Sequence, residues 1–229
     1  MELPKKTPSV WVVVPAYNEA TVIRSVISEI RSAGFTDIIV VNDGSMDDTQ
    51  EKASAAGAIT LKHLLNRGKG AAVKTGIEAA KELGADIVVT LDGDGQHDPA
   101  DIAPMIALVR EGYDVVLGSR LKNCDGMPAH KIAHNHIGNF LVWMVYGLWV
   151  TDSQSGFRVY SKKALELIDT KTDRYEYDSE VIREIKHHQL KFIELPIKVR
   201  YTEYSMGKAQ KMNLKNGIKT LIKMILSSS

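Results

Sequence analysis

Short runs of consecutive apolar residues alternate with longer stretches in which apolar positions recur every three or four residues. Val10-Trp11-Val12-Val13-Val14 is the first such run. It is rich in β-branched residues and apolar at successive positions, the pattern of a parallel strand buried on both faces. Pro15 is expected to end it. From Glu19 to Ala33, residues Val22, Ile23, Val26, Ile27 and Ile30 fall at helical spacing, and Gly34 closes the segment. The alternation continues with a strand over Asp37 to Val41 and a helix starting at Asp47-Asp48-Thr49, where acids favour the first turn. Next come a short strand over Ile59 to Lys62, a helix over Lys69 to Leu83 and a strand over Asp86 to Leu91. A helix over Pro99 to Arg110 and a strand over Tyr113 to Leu117 come after them. This order predicts an α/β fold with a mostly parallel sheet and helices on both faces.

After Arg120 the character changes. Asn123 to Met127 reads as a loop, and a long apolar helix succeeds it, roughly Lys131 to Trp149. Thr151 to Arg158 comes next, then helices around Ser161 to Ile168 and Asp178 to His188, and a strand from Phe192 to Val199. From Lys208 the tail is basic and helical in period. Leu214, Ile218, Leu221, Ile222 and Ile225 share one face, with Lys215, Lys219 and Lys223 alongside. A C-terminal amphipathic helix of that kind suits the surface of an anionic membrane. With no repeats or linkers, the chain reads as one domain over 1–229: a nucleotide-binding half (1–120), an acceptor-facing half (121–207) and the basic tail (208–229).

Composition narrows the function classes. The 229 residues suffice for a full core, and the net charge of +1 gives no global case for nucleic-acid binding. A single cysteine, Cys124, excludes an intrachain disulfide and fits a reducing compartment. The N-terminus lacks the apolar core of a signal peptide. The longest apolar run, Ile137 to Val150, is interrupted by Asn139 and Gly147 and reads as a core or interfacial helix.

Polar chemistry concentrates where strands end. Pro15-Ala16-Tyr17-Asn18-Glu19, Asn42-Asp43-Gly44-Ser45 and Asp92-Gly93-Asp94 each succeed an apolar run, and in a parallel sheet all three fall on one edge. The Asp92/Asp94 pair offers hard oxygen ligands that suit Mg²⁺ or Mn²⁺ shared with substrate phosphates. Asn66-Arg67-Gly68-Lys69-Gly70 places cations and glycine at a helix start, a site for donor phosphate in which Lys69 is the candidate. The P-loop spacing, the Gly-x-Gly-x-x-Gly fingerprint and the Gly-x-Ser-x-Gly elbow are all absent. His130, His134 and His136 lack the companion ligands of a zinc site and read as surface or acceptor-facing residues.

The same strand-end segments, completed by Gln96, resemble the family 2 glycosyltransferases with the GT-A fold. Gly118-Ser119-Arg120 and Asp152-Ser153-Gln154-Ser155-Gly156-Phe157-Arg158 narrow the resemblance to the polyprenyl-phosphate glycosyltransferases, typified by dolichol-phosphate mannose synthases. It covers nearly the whole chain, and the Gln-x-x-Arg-Trp motif of processive polysaccharide synthases is absent. It implies that Pro15, Tyr17, Glu19 and Asp43 hold the nucleoside. Asp92, Asp94 and Gln96 would surround the metal, and Arg120, Ser155 and Arg158 would face the acceptor phosphate. Lys131 stands where relatives carry an arginine, so its contact is a point charge rather than a bidentate fork. Arg200 and Lys208, with Lys211 as a neighbour, stand where the family closes a loop over the donor. Here Tyr204-Ser205-Met206-Gly207-Lys208 spaces the serine and lysine more widely.

The implied reaction is inverting transfer of one sugar from a UDP- or GDP-sugar to a polyprenyl or dolichyl phosphate. The enzyme would be peripheral at the cytoplasmic face of the cell membrane, or of the endoplasmic reticulum in a eukaryote. The catalytic set is Asp94, Asp152, Arg158, Arg200 and Lys208. A lipid phosphate acceptor needs no strong base. A saccharide or protein hydroxyl, the alternative acceptor, needs a carboxylate, for which Asp152, Asp178 and Glu180 are candidates.

Overall fold

The protein is described from a computed structural model over residues 8–124, 127–174, 176–202 and 204. The amphipathic tail, with Lys208 and Lys211, lies outside these residues. The elements run in the order β1 (Val10–Ala16), α1 (Ile23–Ser32), β2 (Ile38–Asn42), α2 (Thr49–Ala55), β3 (Ile59–Lys62), α3 (Lys69–Glu82) and β4 (Ile87–Thr90). They continue with α4 (Ile102–Arg110), β5 (Val115–Ser119), α5 (Ala129–Tyr146), β6 (Arg158–Ser161), α6 (Lys162–Leu167), α7 (Glu176–His187) and β7 (Phe192–Pro196). The seven strands form one sheet in the order β3-β2-β1-β4-β6-β5-β7. All neighbours are parallel except β6, which runs antiparallel to both β4 and β5.

The consecutive apolar residues of the central strands serve two cores. In β1, Trp11 and Val13 pack with Ile39 and Val41 against Ala72 and Val73 of α3 and Val181 and Ile182 of α7. Val12 and Val14 point to the other face, with Ile38 and Val40, against Ile23, Ile27 and Ile30 of α1 and Ile102 and Met105 of α4. This is why these strands read as unbroken apolar runs rather than as alternations.

Several boundaries differ from the sequence pattern, each for a local reason. β1 does not stop at Pro15. Its pairing to β4 ends at Val13, so the proline falls beyond the last shared rung and its missing N–H costs no ladder bond. The first helix begins at Ile23, because Val22 and Ile23 donate back to the carbonyl of Glu19 in a turn. Pro99–Asp101 forms a separate 3₁₀ turn, capped by Asp98, ahead of α4. α5 ends at Tyr146, short of Trp149, because Gly147 adopts a left-handed conformation (φ 69°). β6 is the strand the pattern hides: four residues that begin with an arginine and end with a serine.

The antiparallel sense of β6 brings its leading residue to the polar edge of the sheet. Arg158 pairs with Thr90 and Leu117, at the edge where β1, β2, β4 and β5 all end. Residues 151–157 therefore lie along the same rim as the strand-end acids.

Candidate active site

Asp92 lies just past β4, and its carboxylate is the hub of the rim. Lys69, the first residue of α3, places its ammonium 2.9 Å from Asp92 Oδ1 and 3.3 Å from Asp178 Oδ2. His97 Nε2 lies 3.5 Å from the other Asp92 oxygen, and its ring is buried against Phe157. Burial would push the Asp92 carboxyl up, but Lys69 and then His97 hold it well below the usual carboxylate range. Asp94 shifts the other way: burial, then the charge of Asp92, raises it. One Asp94 oxygen accepts the backbone N–H of Gln96 at 3.0 Å. Two carboxylates two residues apart, one of them pushed towards its neutral form by burial and by the other's charge, form a donor set that a divalent cation suits. Among the described residues no three His, Cys, Asp or Glu side chains converge as a metal group, and His134 and His136 are exposed.

The loops after β1 and β2 are knitted together. Asn18, at φ 53°, donates its N–H to Ser45 Oγ and accepts the N–H of Met46 on its side chain. The N–H of Glu19 donates to Thr49 Oγ1 at 2.8 Å, and the Tyr204 hydroxyl lies 2.7 Å from the Glu19 carboxylate. Pro15 and Glu19 are buried, whereas Tyr17 stands exposed at the rim.

Asp43, which the resemblance implies at the nucleoside, is engaged within the protein. Its buried carboxylate accepts the N–H groups of Arg67 and Gly68 at 3.0 and 2.8 Å and sits 2.7 Å from His63 Nδ1. Ala71 N–H is taken by the carbonyl of Asp173. The turn that opens α3 thus has much of its donor capacity engaged inside the protein, and Lys69 carries its positive charge into the site.

The second half supplies a cationic wall. The Arg120 guanidinium grips Asp152 in a fork, Nε to Oδ2 at 2.7 Å and Nη2 to Oδ1 at 2.8 Å, and Arg120 N–H adds a third bond to Oδ2. Arg158 is 1% exposed and donates to the carbonyls of Ser153, Ser155 and Asp178. It supports the 153–156 turn from below. Ser155 is also buried. Lys131, in the first turn of α5, stacks its ammonium over the Tyr201 ring at 5.3 Å. The Arg200 guanidinium pairs with Glu29 and Asp98, while its backbone N–H donates to the carbonyl of Gln96 at 2.8 Å.

Residues 11–168 match the model of glycosyl transferase family 2. The chain belongs to that family. It is 44% identical over 223 residues to the uncharacterised protein MJ1222 of Methanocaldococcus jannaschii, covering 95% of this chain and 91% of the relative. It is 37% identical over 240 residues to the UDP-N-acetylglucosamine–dolichyl-phosphate N-acetylglucosaminyltransferase of Methanococcus voltae, covering 95% of each. In fold it is similar to glucosyl-3-phosphoglycerate synthase from Mycobacterium tuberculosis, solved with Mn²⁺, UDP-glucose and phosphoglyceric acid. That likeness has a TM-score of 0.69 at 19% identity over 96% of this chain and 81% of the other.

In this family 2 glycosyltransferase, three site-building residues escape a reading of the sequence. Asn139, buried in the middle of α5, accepts both the N–H and the hydroxyl of Ser153 and donates to the carbonyl of Thr151. Glu194 of β7 accepts the N–H and hydroxyl of Thr151 at 2.6 and 2.8 Å. His97, against Asp92, is the third. An asparagine inside an apolar helix is the one available signal for the first. Nothing in a strand pattern flags the second.

Proposed function

We propose that this glycosyltransferase moves one sugar from a nucleotide diphosphate donor to a polyprenyl or dolichyl phosphate, with Mg²⁺ or Mn²⁺ at Asp92 and Asp94. The observation that carries the acceptor class is the state of the three candidate bases. Asp152 is locked in the Arg120 fork, Asp178 is shared by Lys69 and Arg158, and Glu180 is consumed by the loop at 171–172. Each of the three is committed to cations or donors of the protein itself. A phosphate monoester, with a second pKa of about 6, is already an anion at neutral pH and needs no base.

What such a reaction does need is positive charge around two converging anions. Bound metal would supply charge neutralisation on the donor diphosphate. The chain's own contribution is Lys69 at the acid pair and Arg120, oriented by Asp152, on the acceptor side. Arg158 acts by holding the 153–156 turn rather than by reaching the acceptor. Asp43, His63 and Asp173 fix the turn at 66–71 that presents Lys69. The dolichyl-phosphate activity named for the Methanococcus voltae relative supports the lipid acceptor and makes UDP-N-acetylglucosamine the first donor to try.

A membrane-bound acceptor requires interfacial access. None of the described helices is long and apolar enough to cross a membrane. α5 instead turns Ile137, Phe140, Trp143 and Met144 outward, with Trp149 packed edge-on to Trp143 just past its end. Aromatic and aliphatic groups on one helix face suit the headgroup region, and the basic tail adds attraction to anionic lipid. This supports peripheral attachment at the cytoplasmic membrane face.

The test is a donor panel: UDP-N-acetylglucosamine, UDP-glucose and GDP-mannose, each with Mn²⁺ or Mg²⁺ and a short-chain polyprenyl phosphate. Lipid-linked sugar from one donor, abolished in Asp94→Ala, is the expected result. Nucleotide binding without lipid-linked product from any donor would overturn the acceptor assignment in favour of a hydroxyl.

A further inference from the structure

Lys69 is mostly shielded from solvent, and its one ammonium is shared between two carboxylates on different elements, Asp92 after β4 and Asp178 of α7. Asp178 has a second cation, Arg158 Nη2, at 3.6 Å. The arrangement is built in rather than incidental. Gly156 lies directly against the pair, and a Cβ there would collide with both Lys69 Nζ and the Asp92 carboxylate. The remaining groups around Asp92 are His97 on its other oxygen and Asp94 two residues along.

We propose that Lys69 is the internal counter-ion of the Asp92/Asp94 pair and makes metal binding depend on the donor. The inference rests on the metal-dependent function proposed for this site. In the free protein the ammonium already occupies Asp92, so a divalent cation must bind beside a fixed positive charge that like-charge repulsion opposes. A donor diphosphate brings negative charge to the same place and removes that opposition. Metal and donor then strengthen each other, and by linkage the coupling is the same in either direction. An ordinary structural ion pair makes the opposite forecast: removing Lys69 would loosen the site and weaken metal binding.

The experiment is Mn²⁺ titration of the full chain by electron paramagnetic resonance, with and without UDP. Wild-type protein is expected to bind Mn²⁺ weakly alone and about ten-fold or more tightly with UDP. In Lys69→Met the nucleotide-free affinity is expected to rise by about ten-fold, and the UDP-dependent gain to shrink accordingly. Lys69→Arg, which keeps the positive charge, gives a second reading: it should retain weak nucleotide-free Mn²⁺ binding and the UDP-dependent gain, and an affinity raised as in Lys69→Met would overturn the charge argument. Equal Mn²⁺ affinity with and without UDP in the wild type, or unchanged or weaker binding in Lys69→Met, overturns the inference and leaves the metal site standing. No Mn²⁺ bound by the wild type even with UDP overturns the metal reading and this inference together.

Discussion

Glu180 organises one wall of the candidate site. Its carboxylate accepts the N–H groups of Lys171 and Thr172 and the Thr172 hydroxyl, and it pairs with Arg183 at 2.8 Å. Burial alone would raise its pKa. The Thr172 and Lys171 donors and Arg183 outweigh that and hold it below its ordinary 4.5. A carboxyl depressed in the folded state stabilises above its unfolded pKa, and that stabilisation is lost as pH falls through the folded value. Glu180→Gln is therefore expected to cost about 1–3 kcal/mol in urea unfolding at pH 7. The gap to wild type should narrow steadily as the titration moves below pH 4.5. A gap constant across pH would show that the charge is not what Glu180 contributes. Asp94 is instead a proposed metal ligand. Asp94→Asn keeps the Gln96 hydrogen bond and should leave the melting temperature near wild type while lowering kcat/KM by about 100-fold or more. A melting temperature that fell in step with activity would make Asp94 a structural residue.

At the scale of elements, α5 joins two environments. Its inner side holds the 151–153 segment through Asn139, and its outer side shows aromatic rings to solvent. Asn139→Leu strands the N–H and hydroxyl of Ser153, a loss of about 1–3 kcal/mol. It should raise KM for a lipid phosphate acceptor more than KM for the donor; equal effects would sink the idea that α5 serves the acceptor side. β1, β2, β4 and β5 and their polar ends are legible in the sequence, because unbroken runs of apolar, largely β-branched residues mark strands buried on both faces and polar turns after them mark the functional edge. β6 is not legible, since Arg158 at its head is an interior group satisfied by three carbonyls, and periodicity cannot announce that. The site residues divide the same way. The acid pair stands out by type and spacing. The engagement of Asp43 and Asp152 by partners 20 to 32 residues away along the chain, and of Glu180 by the 171–172 loop, is tertiary and carries no local signature.

Over the whole molecule, one flank carries the exposed rings of α5, and Lys131 of the same helix and Arg120 lie toward the rim. Under the proposed function, that layout would let a membrane deliver the acceptor headgroup to the rim. Replacing Phe140 and Trp143 together by serine should cut sedimentation with anionic vesicles by about ten-fold, given the apolar area withdrawn. Turnover of a water-soluble short-chain acceptor should persist, and unaltered vesicle binding would assign α5 another neighbour. The insertion of β6 between β4 and β5 bears on how the chain comes into being. During synthesis, β1 to β4 can assemble as soon as residue 90 has emerged. β5 then has no partner until residues 158–161 arrive to bridge it to β4, and its other neighbour, β7, is made later still. A nascent chain paused between residues 120 and 157 would therefore carry an unpaired, wholly apolar Val115-Val116-Leu117 edge, the stage at which this protein most needs a chaperone.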